Sequence, residues 1–386
     1  MRGLATVAAV AVAGALLGPG TAVASQHMFV GAAEDASKEP TLALAKAKID
    51  LAKLAGFDAV RITAQWRPGE SAPASSELLG LQNAVTAASL DSIEVFLSVY
   101  PTGSSVTPLT PQARSDFASY AASLARSLPT VHRFIVGNEP NLNRFWMPQF
   151  TPTGGDAAAP AYEALLAQTY DALKTASPTA VVIGGSLAPR GLDTPLSKKH
   201  SPTAFITDLG RAYRASGRKK PIMDAFSLHP YEDNSSLPPT FAHPHSTTIS
   251  LADYPKLVAL LGKAFDGTAQ AGSRLPIVYD EFGVQSIIPQ IKLVDYRGTK
   301  PASERPVAES QQAAFYVEAL QMVACQPNVA GFLIFHVSDE ANLDRWQSGL
   351  FYADDTPKSS LPAVQKAIAD LRAGRFAACA PAAARR

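Results

Sequence analysis

The chain has 386 residues, 47% of them hydrophobic, and a formal net charge of +1. That is ample apolar material for a large core. Its near-neutral balance, with no basic run longer than Arg218-Lys219-Lys220, excludes the electrostatic footprint of a nucleic-acid-binding protein.

The N-terminus carries Arg2, an apolar run over residues 4–17, a break at Gly18-Pro19-Gly20, and the small-x-small triplet Ala22-Val23-Ala24. This is the pattern of a secretory signal peptide over residues 1–24, with Ser25 opening the mature chain. The run is short for a membrane span, and position 25 is not cysteine, so an exported protein without a membrane or lipid anchor is expected. Cys325 and Cys379 are the two cysteines. In an exported chain they are compatible with a disulfide tying the Ala-rich tail (residues 377–386) to the body; two free, buried thiols are the alternative.

From there, short β-rich runs alternate with amphipathic stretches. A strand at 28–31 precedes a helix at 42–54, which closes at Gly56; a strand at 59–62 precedes a helix at 76–90. A strand at 93–100 ends at Pro101, and the next helix, 111–128, opens on a proline. The fourth strand, 134–137, is followed by a helix at 159–175, and a strand at 180–184 by a helix at 203–215. The remaining pairs are 224–229 with 251–265, 276–281 with 305–325, and 330–336 with 361–372. Eight strand–helix units predict an α/β fold of the (β/α)8 TIM-barrel class, one domain over residues 25–376. A doubly wound sheet would show a Gly-rich phosphate turn after its first strand, and Val30-Gly31-Ala32-Ala33 has none. Connections leaving the strands are long (140–158, 230–250, 282–304, 337–360), whereas most entering them are short, the asymmetry of a barrel enzyme with its site at the strand C-termini.

Two strand ends carry acids. The run Phe134-Ile135-Val136-Gly137 leads into Asn138-Glu139-Pro140, and a carboxylate at the mouth of a buried strand is expensive without a task or a partner. Ile277-Val278-Tyr279-Asp280-Glu281-Phe282-Gly283 ends the seventh strand. Alternation puts Glu281 on the side of Ile277 and Asp280 on the other, which favours Glu281 as the second carboxylate. Asp280 is the fallback, or the partner of a basic group between barrel and helices. Two carboxyls facing each other across a barrel mouth can divide into acid and nucleophile, the pairing that cleaves glycosides with retention when about 5–5.5 Å apart.

Asn138-Glu139-Pro140 with Glu281-Phe282-Gly283 resembles glycoside hydrolase clan A, the retaining barrel glycosidases, with families 5 and 39 the nearest. The resemblance runs from the second strand to the tail. It implies Glu139 as acid/base, Glu281 as nucleophile and Asn138 as the reader of the sugar 2-hydroxyl. It also implies Arg61 as the cation that keeps Glu281 ionised, and, through His229-Pro230-Tyr231, a tyrosine bonded to the nucleophile. Gly349-Leu350-Phe351 and Asp354 to Lys358 resemble the run leading into the last helix. The usual tryptophan at the end of strand eight is missing; Ile334-Phe335-His336 stands there, so Phe335, His336 or Trp346 must line the site.

Sugar rings stack their C–H faces on aromatic planes, and Trp66, Trp146 and Trp346 all fall near expected strand exits, with Phe145 beside the second. His243 and His245 lack a third ligand at recognisable spacing, so no catalytic metal is expected, and no cofactor. No GxSxG occurs, and Gly184-Gly185-Ser186 reads as a strand exit. The expected function is hydrolysis of a β-linked oligo- or polysaccharide. A non-catalytic carbohydrate-binding barrel and a transglycosidase are the alternatives.

Overall fold

Eight parallel strands pair in sequence order, β8 closing on β1, in a computed structural model that describes residues 27–376 and Cys379. The expected signal peptide (1–24) and, Cys379 apart, the expected tail (377–386) lie outside the described residues. The strands are β1 (Phe29–Ala33), β2 (Ala59–Trp66), β3 (Glu94–Pro101), β4 (Arg133–Val136), β5 (Val181–Leu187), β6 (Ala225–Leu228), β7 (Ile277–Phe282) and β8 (Val329–Phe335). The eight helices are α1 (Leu42–Leu54), α2 (Ser75–Leu90), α3 (Pro111–Ser127), α4 (Ala158–Ala176), α5 (Pro202–Ser216), α6 (Tyr254–Phe265), α7 (Glu309–Ala324) and α8 (Leu361–Arg372). The (β/α)8 expectation is met unit by unit. Residues 251–253 of the expected sixth helix form a short 3-10 turn instead, and β2 runs four residues further than its sequence pattern marked.

Helix ends follow local chemistry. Thr110 accepts a bond from the Ala113 N–H ahead of Pro111, and Ser201 does the same for Ala204 ahead of Pro202. Gly217 closes α5 at φ 67°, a left-handed turn that glycine adopts without strain. Two apolar layers result. Ala59, Phe96, Ile135, Ile183, Ala225, Val278 and Leu333 fill the barrel itself, and a larger cluster fills the space between barrel and helices. The upper barrel is polar, because Arg61, Ser98, Ser186, His229 and Asp280 are all buried there.

The long strand-exit loops are tied down from below. Lys358, fully buried, donates to Asp339 Oδ1 (2.7 Å), Ser286 Oγ (2.8 Å) and the Gln347 carbonyl (3.2 Å). The run Gly349 to Lys358 thus clasps the β7 and β8 exit loops together, and a buried charge this well bonded holds its partners in one arrangement. Cys325, just after α7, forms a disulfide with Cys379. His243, one of the histidines set aside as a metal ligand, points its Nδ1 at Asp253 Oδ2 (3.1 Å) while its backbone N–H donates to Oδ1 (2.9 Å), a clasp within the β6 exit loop.

Candidate active site

Glu139 stands at the end of β4 in a backbone conformation its sequence does not favour. Gly137 turns the chain at φ 95°, and a side chain there would meet Tyr162 Cε2 at 2.9 Å. Glu139 itself sits at φ 42°, left-handed for a non-glycine residue, and Ser186 on β5 at φ 50°. The two are joined: the Glu139 N–H donates to the Ser186 carbonyl (2.8 Å), and the Glu139 carbonyl accepts from the Leu142 N–H (2.9 Å). Strained residues of this kind persist where the surrounding bonds over-determine them, and they cluster at sites of chemistry.

Glu281 reaches the same mouth by another irregularity. Val278 lies inside the barrel and Tyr279 outside it. Simple alternation therefore sends Asp280 inward and Glu281 towards the helices, the reverse of the sequence expectation. The pairing of β7 with β8 shifts between Tyr279 and Phe282, and this bulge turns Glu281 back over the mouth. Both acids end up in the site, so Asp280 is no partner for a group between barrel and helices. It is completely buried, with Oδ2 bonded by Ser186 Oγ (3.0 Å) and near Arg61 Nε (3.3 Å) and His229 Nε2 (3.3 Å).

Arg61, inward-facing on β2, binds the rest together. Its Nη1 donates to Glu281 Oε1 (2.6 Å), and its Nη2 to Asn138 Oδ1 (2.9 Å) and Ser98 Oγ (3.2 Å). Tyr231 Oη donates to Glu281 Oε2 (2.9 Å). His229 Nδ1 sits 3.0 Å from Glu139 Oε1 and 3.4 Å from Glu281 Oε2. One nitrogen therefore touches an oxygen of each carboxylate, and those two oxygens are no further apart than the sum of these distances. The two carboxylates are therefore neighbours across the barrel mouth.

The charges are matched. Burial works against the Arg61 cation, but Glu281 and Asp280 outweigh it and raise the guanidinium's pKa. Burial likewise opposes charge on His229, yet Glu281, Asp280 and the bonds to Asp280 and Glu139 lift it to about 10. Asp280, which burial alone would protonate, is held below the usual carboxylate range by His229 and Arg61. Burial and then Glu281 push Tyr231 well up, so it remains a phenol that donates.

His229 gives a pH prediction. A group whose pKa rises on folding stabilises the fold fully below its unfolded value of about 6.5 and loses that contribution as pH climbs to about 10. The stability difference between wild type and His229→Gln, measured by urea unfolding, should therefore shrink steadily from pH 7 to pH 10. A difference that stays constant over that range would rule out a protonated His229.

Above the pair opens a cavity of about 1020 Å³, lined by Arg61, Asn138, Glu139, Tyr231, Glu281, Phe335, His336 and Trp346 among others. Trp346 stacks on Tyr231 (centroids 4.7 Å apart, 30° between planes) and meets Phe335 edge-on. It supplies an aromatic wall beside the strand that lacks the usual tryptophan. His336 lines the same wall, its Nδ1 2.7 Å from the Ala33 carbonyl.

The other two tryptophans do not reach the cavity. Because β2 continues to residue 66, Trp66 lies on the strand, with outward parity, buried edge-on against Phe117 of α3 and bonded through Nε1 to the Glu70 carbonyl (2.8 Å). Trp146 is turned inward by a tight turn in which its N–H donates to the Leu142 carbonyl (3.0 Å), and it packs edge-on against Tyr162 of α4. Its neighbour Phe145 lines the cavity instead. Ser186 and Ser98 are the site residues that sequence reasoning left without a role there, and Asp280 entered it only as the fallback for Glu281.

No protein-family model and no curated protein matches the sequence. Among solved structures, a family 39 glycoside hydrolase from Bacteroides cellulosilyticus WH2 superposes with a TM-score of 0.63 at 18% identity, over 91% of this chain and 66% of its own. A family 5, subfamily 18 enzyme from Streptomyces cattleya, solved with Manβ1-4GlcNAc, gives 0.61 at 18% identity, over 92% of this chain and 83% of its own. Bacteroides uniformis β-glucuronidase 2 gives 0.54 at 14% identity, over 89% and 35%. At these identities the likeness is one of fold, a (β/α)8 barrel, and the chain spans 66% of the family 39 enzyme's length.

Proposed function

We propose that the protein is an exported retaining β-glycosidase working by double displacement. The observation behind this reading is the His229 nitrogen that lies 3.0 Å from a Glu139 oxygen and 3.4 Å from a Glu281 oxygen, so that the two carboxylates face one mouth as a retaining pair must. In the first step a Glu281 oxygen bonds to the anomeric carbon as the glycosidic C–O bond breaks, and the Glu139 proton passes to the departing oxygen. In the second step Glu139 takes a proton from water, whose oxygen bonds to the anomeric carbon while the Glu281 ester breaks. Arg61 and Tyr231 hold both oxygens of Glu281, so the nucleophile approaches in one orientation. Asn138, pinned by its carbonyl oxygen to Arg61, is left with its amide N–H₂ for the sugar 2-hydroxyl. All of this needs only protein side chains and water.

Export is supported by the N-terminal pattern and by the Cys325–Cys379 disulfide, a bond that persists in oxidising compartments. The test is a panel of 4-nitrophenyl β-glycosides and β-glycans, including the mannosyl and glucuronyl types that the structural neighbours' names mention, with the first-formed anomer followed by NMR. Release of the β-anomer is expected. Glycan binding without release from any substrate would instead make the barrel a carbohydrate-binding protein.

A further inference from the structure

The cavity has two unlike ends. On the β1 and β8 side it is acidic and aromatic, with Glu34, Glu340 and Trp346. The β4 and β5 exit loops form the other side, which Glu139 faces and where the departing group must sit, since the acid has to reach its oxygen. These two loops are sewn together: Asn141 Nδ2 donates to the Ala188 and His200 carbonyls (3.1 and 3.0 Å), and residues Leu142 and Lys199 pair as an antiparallel bridge.

The surface they present is aliphatic and cationic. Leu142, one turn beyond Glu139, lines it with Phe145, Pro189 and Leu192, and Leu192 is 73% exposed. Such an exposed leucine in the wall of an active-site cavity awaits an apolar group. No tryptophan offers a platform on this side, because Trp146 is turned away beneath it. Arg144 and Lys199 also line it. Among the described residues neither makes an ion pair, and the Arg144 guanidinium lies over the Phe145 ring at 5.2 Å. Arg190, by contrast, is already engaged, with Nη2 donating to the Glu232 carbonyl (2.6 Å) and Nε 3.2 Å from Asp233 Oδ1.

We propose that the leaving group is not a sugar but an apolar aglycone carrying an anionic group, its hydrocarbon part against Leu142, Phe145 and Leu192 and its anion facing Arg144 and Lys199. This rests on the glycosidase reading and narrows it: the enzyme removes a single glycosyl unit from an amphipathic glycoside, and its product is a free hydroxylated acid.

The test holds the glycone fixed, using whichever sugar the 4-nitrophenyl panel selects. Two pairs of substrates are compared by kcat/KM. The octyl β-glycoside is set against the corresponding β-1,4-disaccharide, and the 4-(carboxymethyl)phenyl glycoside against its 4-methylphenyl analogue, whose phenols are closely matched as leaving groups. The octyl glycoside should lead the disaccharide by about tenfold or more, since burying its methylenes contributes to transition-state binding. Leu192→Ser should remove most of that lead. The carboxymethyl compound should lead by roughly threefold to tenfold in low salt, a lead lost in high salt or in the Arg144→Gln/Lys199→Gln double variant. Calorimetric titration with 4-hydroxyphenylacetate, the free leaving group, provides a readout independent of turnover: wild type should bind it and the double variant should bind it more weakly. A disaccharide cleaved as well as the octyl glycoside, with no carboxylate preference, overturns the aglycone and leaves the glycosidase standing. Binding of the free acid without cleavage of any glycoside sinks the glycosidase and keeps the site, and absence of that binding sinks the site.

Discussion

Glu281→Gly should lose turnover of aryl β-glycosides by on the order of 10⁵–10⁶-fold, the scale at which loss of a covalent nucleophile is felt. Sodium azide should then restore part of the rate. In the proposed mechanism this carboxylate attacks the anomeric carbon, and Arg61 Nη1 and Tyr231 Oη, which grip its two oxygens, cannot replace it. Glycine leaves a hole of carboxylate size bounded by those same two donors, a ready seat for a small anion. Azide bound there attacks the sugar directly, so the product should be the α-glycosyl azide, detected by NMR alongside 4-nitrophenol release. Asp280→Ala is the control. It too should be damaged, because it strips Arg61 and His229 of a shared buried partner. Azide should not rescue it, since Asp280 is completely buried and, unlike Glu281, does not line the cavity. Rescue of Asp280→Ala and none of Glu281→Gly would exchange the roles of the two acids.

That control exists because strand parity alone misplaced the pair. In β7 the alternation of Ile277, Val278, Tyr279 and Asp280 is regular, and the residues on both faces are apolar until the acids begin, so periodicity marks two faces without saying which is the barrel. Glu281 reaches the mouth only because the pairing with β8 slips by a residue after Tyr279, and a bulge depends on how a neighbouring strand is aligned, which the strand's own sequence does not encode. The eight-unit alternation, by contrast, was plain. Each unit carries its own punctuation, such as Gly56 after α1 or Pro111 at the head of α3, and closure of the barrel follows from the number of units. Positions of Glu139, Asn138, His229 and Tyr231 were legible for the same reason, since each stands just past the end of a strand that the pattern finds, whereas Arg61 is the third residue of β2, well short of its end.

The tryptophans were the harder case. An aromatic residue near a strand exit can face the cavity, the helix layer or the space under a loop, and sequence position does not choose. For Trp66 the choice is made by four further residues of β2, which keep it in register as far as Pro101 and point it at α3. For Trp146 it is made by the turn from Leu142, which gives the cavity to Phe145. With two of three expected platforms gone, the sugar-stacking surface contracts to the side of Trp346.

Glu139→Ala should behave differently from the nucleophile variant, and the difference is diagnostic of its role. Against substrates with poor leaving groups, such as alkyl glycosides, kcat/KM should fall by roughly 10²–10⁴-fold, the contribution of a positioned general acid. Against 2,4-dinitrophenyl glycosides kcat/KM should stay within about tenfold of wild type, because that phenolate departs without a proton. Turnover of the same substrate should nevertheless slow after a burst, as the glycosyl ester on Glu281 waits for water that no base activates. Azide should relieve this second step and give the β-glycosyl azide, opposite in configuration to the product from Glu281→Gly, since here the sugar passes through the covalent intermediate before azide takes it. A uniform loss across all leaving groups would instead reflect collapse of the strained turn at Glu139, with its bonds to Ser186 and Leu142. Glu139→Gln separates the two causes: it keeps a side chain of the same size at φ 42° and should reproduce the leaving-group dependence if the missing proton, rather than the missing side chain, is responsible.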